Sequence, residues 1–207
     1  MKLYYSDVLS AHKACAVAKY LAAPVQFVYV DLGKGEQRAP DYVALNPNAK
    51  VPTLVDGQRV IWEADAIMCH LAARAGSDLW PDDQRQIDVI RWFSWNHQHF
   101  TRAGGALFFE YIIKERFNLG PPDAAEVESA LENFRRFAAI LDAHLEKHDW
   151  LVGDALTVAD FAVAVSLPHA ERARIPLAEF PAVQRWHGRL NEIDAWRNPF
   201  PDPVKRA

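Results

Sequence analysis

The 207-residue sequence contains only two cysteines, Cys15 and Cys69. Two cysteines exclude a disulfide-rich scaffold and a cysteine-rich metal site, and they favour a reducing, cytoplasmic compartment. No apolar run approaches the ~20 residues that a membrane-spanning helix needs. The chain starts with Met1-Lys2-Leu3-Tyr4-Tyr5, which has the pattern of a strand, so we expect no signal peptide.

An excess of positive charge is also absent. The 23 lysines and arginines are outnumbered by 27 aspartates and glutamates, which gives a net charge of −4. This balance argues against nucleic acid or an anionic membrane as the main partner. With 50% hydrophobic and 24% charged residues, the composition is that of an ordinary globular protein. The length suits one large or two small domains with a buried core.

Strand and helix patterns alternate over residues 1–76. Short apolar runs at Leu3–Tyr5 and Val25–Val30 predict strands, and helical spacing follows the first run at Ser10–Leu21. A short helix, a hairpin and a helix over Ala64–Ala75 complete the order βαβαββα. This order predicts an α/β domain with a small mixed sheet packed between helices.

The strand pattern ends at residues 77–84, a charged segment that contains a proline and reads as a linker. The remainder, residues 85–207, predicts an all-α domain. Its expected helices cover residues 84–117 (with Gly104-Gly105 as a place to kink), 123–148, 157–167 and 181–193.

The most informative motif is the run from Asn46 to Gly57. Its Val51-Pro52 dipeptide precedes a short apolar strand, and a proline there must stand at the start of the strand because it cannot donate to the ladder. X-Pro is also the common site of a cis peptide bond. A cis bond would turn the Val51 backbone outward, where its N–H and C=O could pair with an extended peptide.

A second motif is a helix start in the predicted all-α domain. Thr157 and Asp160 have the spacing of a capping box, with Asp in place of the usual Glu or Gln. Because the following helix is nearly all apolar and therefore buried, its first N–H groups need such partners. We expect this motif to serve folding and not chemistry.

These motifs together resemble the soluble glutathione S-transferases, in particular the bacterial-type, serine-using members of theta-, phi- and beta-like type. The segment from Asn46 to Ile67 is similar to the family's glutathione site, Trp150–Asp160 to its buried-helix cap, and Phe180–Trp186 to its penultimate helix. The resemblance implies a thioredoxin-like N-terminal domain, an all-helical C-terminal domain and a homodimer. It implies a detoxification enzyme that uses glutathione as co-substrate, without a metal, and joins it to a small hydrophobic electrophile.

The resemblance names Ser10 as the residue that stabilises the glutathione thiolate. Ser10 follows the first strand by a short loop and opens the first helix. The alternatives are that Ser10 is an ordinary N-cap, or that Tyr5, at the end of the first strand, supplies the hydroxyl. Cys15 falls well inside the helix and is interpreted as a small buried hydrophobe.

The resemblance also implies the glutathione-binding residues. Val51 and Pro52 would hold the cysteinyl unit, Glu63, Ala64 and Asp65 the γ-glutamyl end at a helix N-terminus, and Gln37 and Lys50 the glycine carboxylate. Family members carry Ser where this chain has Ala64. The lost hydroxyl hydrogen bond weakens binding by about 1 kcal/mol.

For the second substrate, the aromatic stripe of Trp92, Trp95 and His99 on the long helix offers Trp95 and His99 as pocket residues. Such a stripe also suits a core or a dimer interface, and both interpretations stay open. His97 and His99 diverge on a helix and cannot share a metal.

Two other functions remain open from the sequence. One is a transferase-like protein that binds or regulates without turnover, favoured by Ala64 and by the lack of the family's arginine soon after Ser10. The other is a glutathione-dependent disulfide reductase or isomerase.

Overall fold

The computed structural model of the chain describes residues 1–201, so the end of the Pro-rich tail, from Asp202, lies outside the described residues. The described chain forms two compact units. The N-terminal unit contains residues 1–80 and 193–201, and the helical unit contains residues 81–192. The predicted boundary after residue 84 is therefore incomplete, because residues 193–201 group with the N-terminal unit and pack on its first helix.

The N-terminal unit contains a four-stranded mixed sheet and three of its helices in the predicted order. Its elements are β1 (Lys2–Tyr5), α1 (Leu9–Tyr20), β2 (Gln26–Tyr29), α2 (Pro40–Leu45), β3 (Thr53–Asp56), β4 (Arg59–Trp62) and α3 (Ala64–Arg74). The strand order is β2-β1-β3-β4, with β1 and β2 parallel and the other two pairs antiparallel. The predicted thioredoxin-like arrangement is confirmed.

Helix α1 is the centre of this unit. It is nearly all buried from Ala11 to Ala18, and the small residues of this stretch let it pack against α3. On another side it packs against α10 (Asp194–Arg197), where the fully buried Trp196 meets the His12 ring at 4.5 Å between centroids. Trp196 also offers its carbonyl oxygen to His12 Nε2 at 3.0 Å.

The helical unit begins with one long, nearly continuous helical stretch. It consists of α4 (Arg85–Trp95), a π-helical turn (Asn96–Phe100), α5 (Thr101–Phe108), a second π-helical turn (Phe109–Ile113) and α6 (Lys114–Phe117). The helical register therefore changes on both sides of α5, whereas Gly104 and Gly105 lie inside its regular turns. The expected kink at these glycines is wrong. A Cβ at Gly104 would lie 2.5 Å from Ser166 Oγ, so this glycine permits close packing.

The remaining helices pack on this stretch. They are α7 (Ala124–Leu145), α8 (Val158–Val163), which continues as a 3₁₀ segment to His169, and α9 (Pro181–Leu190). The predicted capping box is present at the start of α8. Asp160 is fully buried and accepts hydrogen bonds from the N–H groups of Thr157 and Leu151 and from Trp186 Nε1, at 2.8–3.0 Å. Asp160 thus satisfies a buried helix end and ties it to α9.

No helix within residues 1–201 combines the length and apolarity that crossing a membrane requires.

Candidate functional site

The structure brings the first helix and the Val51-Pro52 loop together. The Val51–Pro52 peptide bond is cis, as the sequence predicts. Ser10 is the second residue of α1, and its hydroxyl donates to the carbonyl oxygen of Val51 at 3.3 Å. The interpretation of Ser10 as an ordinary N-cap is wrong, because the N-cap is Val8 and the hydroxyl bonds to a residue 41 positions away.

The loop that carries Val51 is held by a polar network that sequence reasoning missed. The buried Asn46 donates through Nδ2 to the Lys50 carbonyl at 2.8 Å and to Thr53 Oγ1 at 3.0 Å. The Tyr42 hydroxyl donates to the same Lys50 carbonyl at 2.7 Å, and burial raises the pKa of this hydroxyl. The Val51 side chain packs in a small core with Val30 and Tyr42. Hydrogen bonds on one hand and apolar packing on the other therefore hold the backbone of the Val51 loop in place beside Ser10.

The residues assigned to the two ends of a bound tripeptide lie at separate places in the N-terminal unit. Glu63 is exposed and precedes α3 with φ of 71°, in the left-handed region, and Ala64 is the first residue of that helix. Lys50 is exposed beside the loop. Gln37 lies in a 3₁₀ turn, Glu36–Arg38, and its Oε1 atom is buried without a hydrogen-bond partner.

Asp65 forms an ion pair with Lys13, a residue that the sequence motifs do not single out. Its Oδ1 atom lies 2.5 Å from Lys13 Nζ, and both side chains are buried. The available signal was the position of Lys13, one helical turn after Ser10, on the same side of α1.

Tyr5 packs in the sheet core and is only 7% exposed. Its ring stacks on Phe200 with centroids 5.7 Å apart and meets Phe27 and Tyr29 edge to face. The ring therefore has the surroundings of a core residue.

Both cysteines are free thiols with low reactivity. Burial raises the pKa of Cys15, and it raises the pKa of Cys69 to about 12. Neither thiol forms a useful thiolate near neutral pH. Within residues 1–201, no group of three or more His, Cys, Asp or Glu side chains is arranged to hold a metal ion.

Trp95 and His99 lie in the helical unit and line a cavity of about 590 Å³ between the α4–α5 stretch and α7. The His99 ring stacks on Phe137 at 4.6 Å, and the Trp95 ring stacks on Phe100 at 5.7 Å. Arg102 and Arg136 also line this cavity, so its walls are mixed and not wholly apolar. A second cavity in this unit, about 800 Å³, is lined by Tyr111 and Arg174, whose guanidinium lies 4.6 Å from the Tyr111 ring centroid.

Comparison with known proteins gives a consistent result. The family model described as the glutathione S-transferase N-terminal domain matches residues 1–73, and that of the C-terminal domain matches residues 101–194. Glutathione S-transferase 3 of Zea mays is 34% identical over 190 residues, which cover 86% of this chain and 85% of the relative. The disulfide-bond oxidoreductase YfcG of Escherichia coli K12 is 28% identical over 204 residues, covering 93% and 91% of the two chains. A solved structure of glutathione S-transferase III in its apo form is similar with a TM-score of 0.85 and 27% identity, over 98% of each chain.

Proposed function

The chain belongs to the glutathione S-transferase family, and we propose that it is an enzyme in which Ser10 stabilises the thiolate of bound glutathione. The thiol loses its proton to water, and the sulfur then attacks an electrophilic carbon of a hydrophobic acceptor. A carbon–sulfur bond forms. In a substitution the leaving group departs with its electron pair, and in an addition the neighbouring atom takes a proton from solvent.

The observation that carries this proposal is the hydrogen bond from Ser10 to Val51. It places the hydroxyl beside the backbone segment that would pair with the cysteinyl unit of glutathione. At 3.3 Å the bond is long, so its exchange for a bond to a sulfur anion costs little.

The energetics are sufficient for thiol activation. A free thiol has a pKa of ~8.5, and lowering it by ~2 units requires ~2.7 kcal/mol of selective stabilisation of the anion. A hydrogen bond to a charged group contributes about 1.5–3 kcal/mol. The N-terminus of α1, where Ser10 lies, adds about 0.3–1 kcal/mol. The two sources together reach the required value.

We further propose how glutathione is held. The backbone of Val51, before Pro52, pairs with the cysteinyl unit, and the γ-glutamyl carboxylate lies at the start of α3, near Glu63, Ala64 and Asp65. The first-turn N–H groups of a helix have no acceptor within the helix, which supports this placement.

For the glycyl end we propose Gln37 and Lys50. The buried Gln37 oxygen without a partner matches the peptide N–H of the glycyl residue. The exposed Lys50 side chain supplies positive charge for the glycine carboxylate.

The surfaces of the helical unit support two further proposals. Trp95 and His99 remain candidates for contact with the hydrophobic electrophile. Exposed isoleucines on α4 and α7 support a homodimer: Ile87 is 69% exposed, Ile90 49% and Ile140 51%. In sedimentation experiments we expect a dimer for the natural chain and a monomer for Ile87→Glu/Ile90→Glu. A natural chain that sediments as a monomer would contradict this proposal.

The alternative of disulfide reduction is supported by the relative named an oxidoreductase. Because burial raises the pKa of both thiols of this chain, a reductase here would have to use glutathione alone. The family match and the relatives named transferases favour the transferase, and the free thiols suit the reducing, cytoplasmic compartment that we propose.

The decisive experiment compares hydroxyl deletions at the two candidate positions. Glutathione binding is measured by calorimetry, and the ultraviolet absorbance of the bound thiolate is recorded against pH. For Ser10→Ala we expect kcat/KM to fall roughly 10- to 100-fold and the pKa of the bound thiol to rise, because one charged hydrogen bond is lost.

Tyr5→Phe is the matched control, since it deletes a hydroxyl but keeps the ring in the core. We expect it to leave both readouts unchanged. A Ser10→Ala enzyme with full turnover would contradict the role of Ser10, and absence of binding at millimolar glutathione would contradict the proposed function itself.

A further inference from the structure

The ion pair of Lys13 and Asp65 joins the two helices that carry the proposed contacts at the thiol and γ-glutamyl ends. Nζ and Oδ1 are 2.5 Å apart, and the side chains are 4% and 11% exposed. Lys13 follows Ser10 by one turn of α1, and Asp65 directly follows Ala64 on α3. The pair therefore connects the helix that carries Ser10 to the start of α3.

Stability alone does not account for a pair in this position. Removing two charges from water costs several kcal/mol per ion, and apolar residues of similar volume often replace a buried pair with no loss of stability. Helices α1 and α3 also pack against each other, and both carry fully buried apolar residues, among them Ala14, Val17, Met68 and Leu71. In some proteins a buried pair instead selects one defined arrangement of the elements that it joins.

The charges around the pair fit a site for an anion. An isolated Asp65 at the start of α3 would repel the γ-glutamyl carboxylate, and Lys13 cancels that charge. The neighbouring Cys69, one turn further along α3, does not compete with either partner because burial raises the pKa of its thiol to about 12. The N-terminus of α3 thus keeps its attraction for an anion while Asp65 is anchored.

We propose that Lys13 is a positioning residue of the glutathione site, which acts through Asp65 to set the spacing between Ser10 and the first turn of α3. This inference rests on the proposed function. Glutathione spans both helices, so a shift of one against the other displaces either its thiol from Ser10 or its γ-glutamyl end from α3.

The test uses the double variant Lys13→Met/Asp65→Leu, which removes both charges and keeps an apolar contact. Single variants are ambiguous because each leaves an unpaired buried charge. We expect the double variant to fold, with glutathione Kd raised about tenfold and the pKa of the bound thiol moved toward that of free glutathione. A purely structural pair would not change the pKa of a bound thiol.

Two further variants control this experiment. Lys13→Arg keeps the charge, and we expect Kd and the thiol pKa to stay within about twofold and a few tenths of a unit of the natural values. Arg74→Met removes a different ion pair of α3, the one between Arg74 at the end of this helix and Asp56 in β3. We expect it to change neither Kd nor the thiol pKa.

The outcomes separate this inference from the proposed function. A natural chain that fails to bind glutathione overturns both. A natural chain that binds, with a double variant of unchanged Kd and thiol pKa, overturns only the role of Lys13. If the double variant fails to fold, Lys13→Gln/Asp65→Asn is measured in the same way, and failure of both to fold assigns the pair to stability and overturns the inference.

Discussion

A single side chain distinguishes the start of α3 from that of the family pattern. Ala64 is buried, at 5% exposure, and has no hydroxyl to offer a ligand. The backbone of the turn is already in place, because Glu63 occupies the left-handed region just before the helix. The difference from the family pattern is therefore the loss of one hydrogen bond and not a change in the shape of the loop.

Restoring that hydroxyl should strengthen glutathione binding. For Ala64→Ser we expect Kd to fall about fivefold, which corresponds to about 1 kcal/mol for one hydrogen bond. Calorimetric titration measures this directly. Ala66→Ser, at an exposed position two residues further along α3, is the control and should leave Kd unchanged. Equal affinity in the natural chain and Ala64→Ser would show that the ligand does not reach this turn.

At the scale of elements, the segment after α9 acts as part of the N-terminal unit. Trp196 is fully buried against His12, and the Lys19 ammonium donates to the carbonyl oxygens of Asn198 and Phe200 at 2.6 and 2.9 Å. Phe200 in turn stacks on Tyr5. The segment covers one side of the helix that carries Ser10.

Removal of this segment should destabilise the N-terminal unit. For a chain that ends at Glu192 we expect the free energy of unfolding to decrease by at least about 3 kcal/mol, because the loss of one buried Trp side chain alone costs about 3–5 kcal/mol. Urea unfolding followed by circular dichroism measures the change. A chain that ends at Pro201 keeps every described contact and is the control. Equal unfolding midpoints for the two shortened chains would refute the role given to the segment.

For the whole molecule, buried histidines set the response to acid. His187 on α9 is 7% exposed, its Nε2 has no hydrogen-bond partner, and burial lowers its pKa from 6.5 to about 4. Burial also lowers the pKa values of His144 and His169. Asp160 acts in the opposite sense, because burial raises its pKa to about 6.

The sign for His187 follows from proton counting. Above pH 6.5, His187 is neutral in both the folded and the unfolded chain. Between pH 6.5 and 4 the unfolded chain binds a proton that the folded chain does not bind. The free energy of unfolding therefore decreases by roughly 3 kcal/mol as the pH is lowered through this range. For His187→Gln we expect this part of the slope to vanish. Urea unfolding of both chains at several values from pH 8 to pH 4 tests it. A constant difference between them over that range would contradict the prediction.

The sequence alone determined much of the fold and the core of the candidate site. Alternating strands and helices, the linker and the Thr157–Asp160 capping box are local patterns, and local patterns are set by neighbours along the chain. Ser10 and Val51 were found in the same way, through motifs that resemble those of a family. Their contact is a long-range one, and only the resemblance to the family predicted that the two residues share a site.

Only the tertiary structure decided the rest. Lys13 pairs with Asp65 and His12 with Trp196, which lie 52 and 184 positions away along the chain. Helical spacing shows which side of α1 Lys13 shares with Ser10, but it does not show which distant residue Lys13 meets. The need for glycine at position 104 likewise comes from Ser166, which packs against Gly104 from another helical segment. Residues 193–201 read as the end of the helical domain, yet they group with the N-terminal unit because burial of Trp196 requires a surface that lies at the other end of the chain. Side-chain burial is a property of the folded molecule, and for these residues it determines which partners they contact and to which unit they belong.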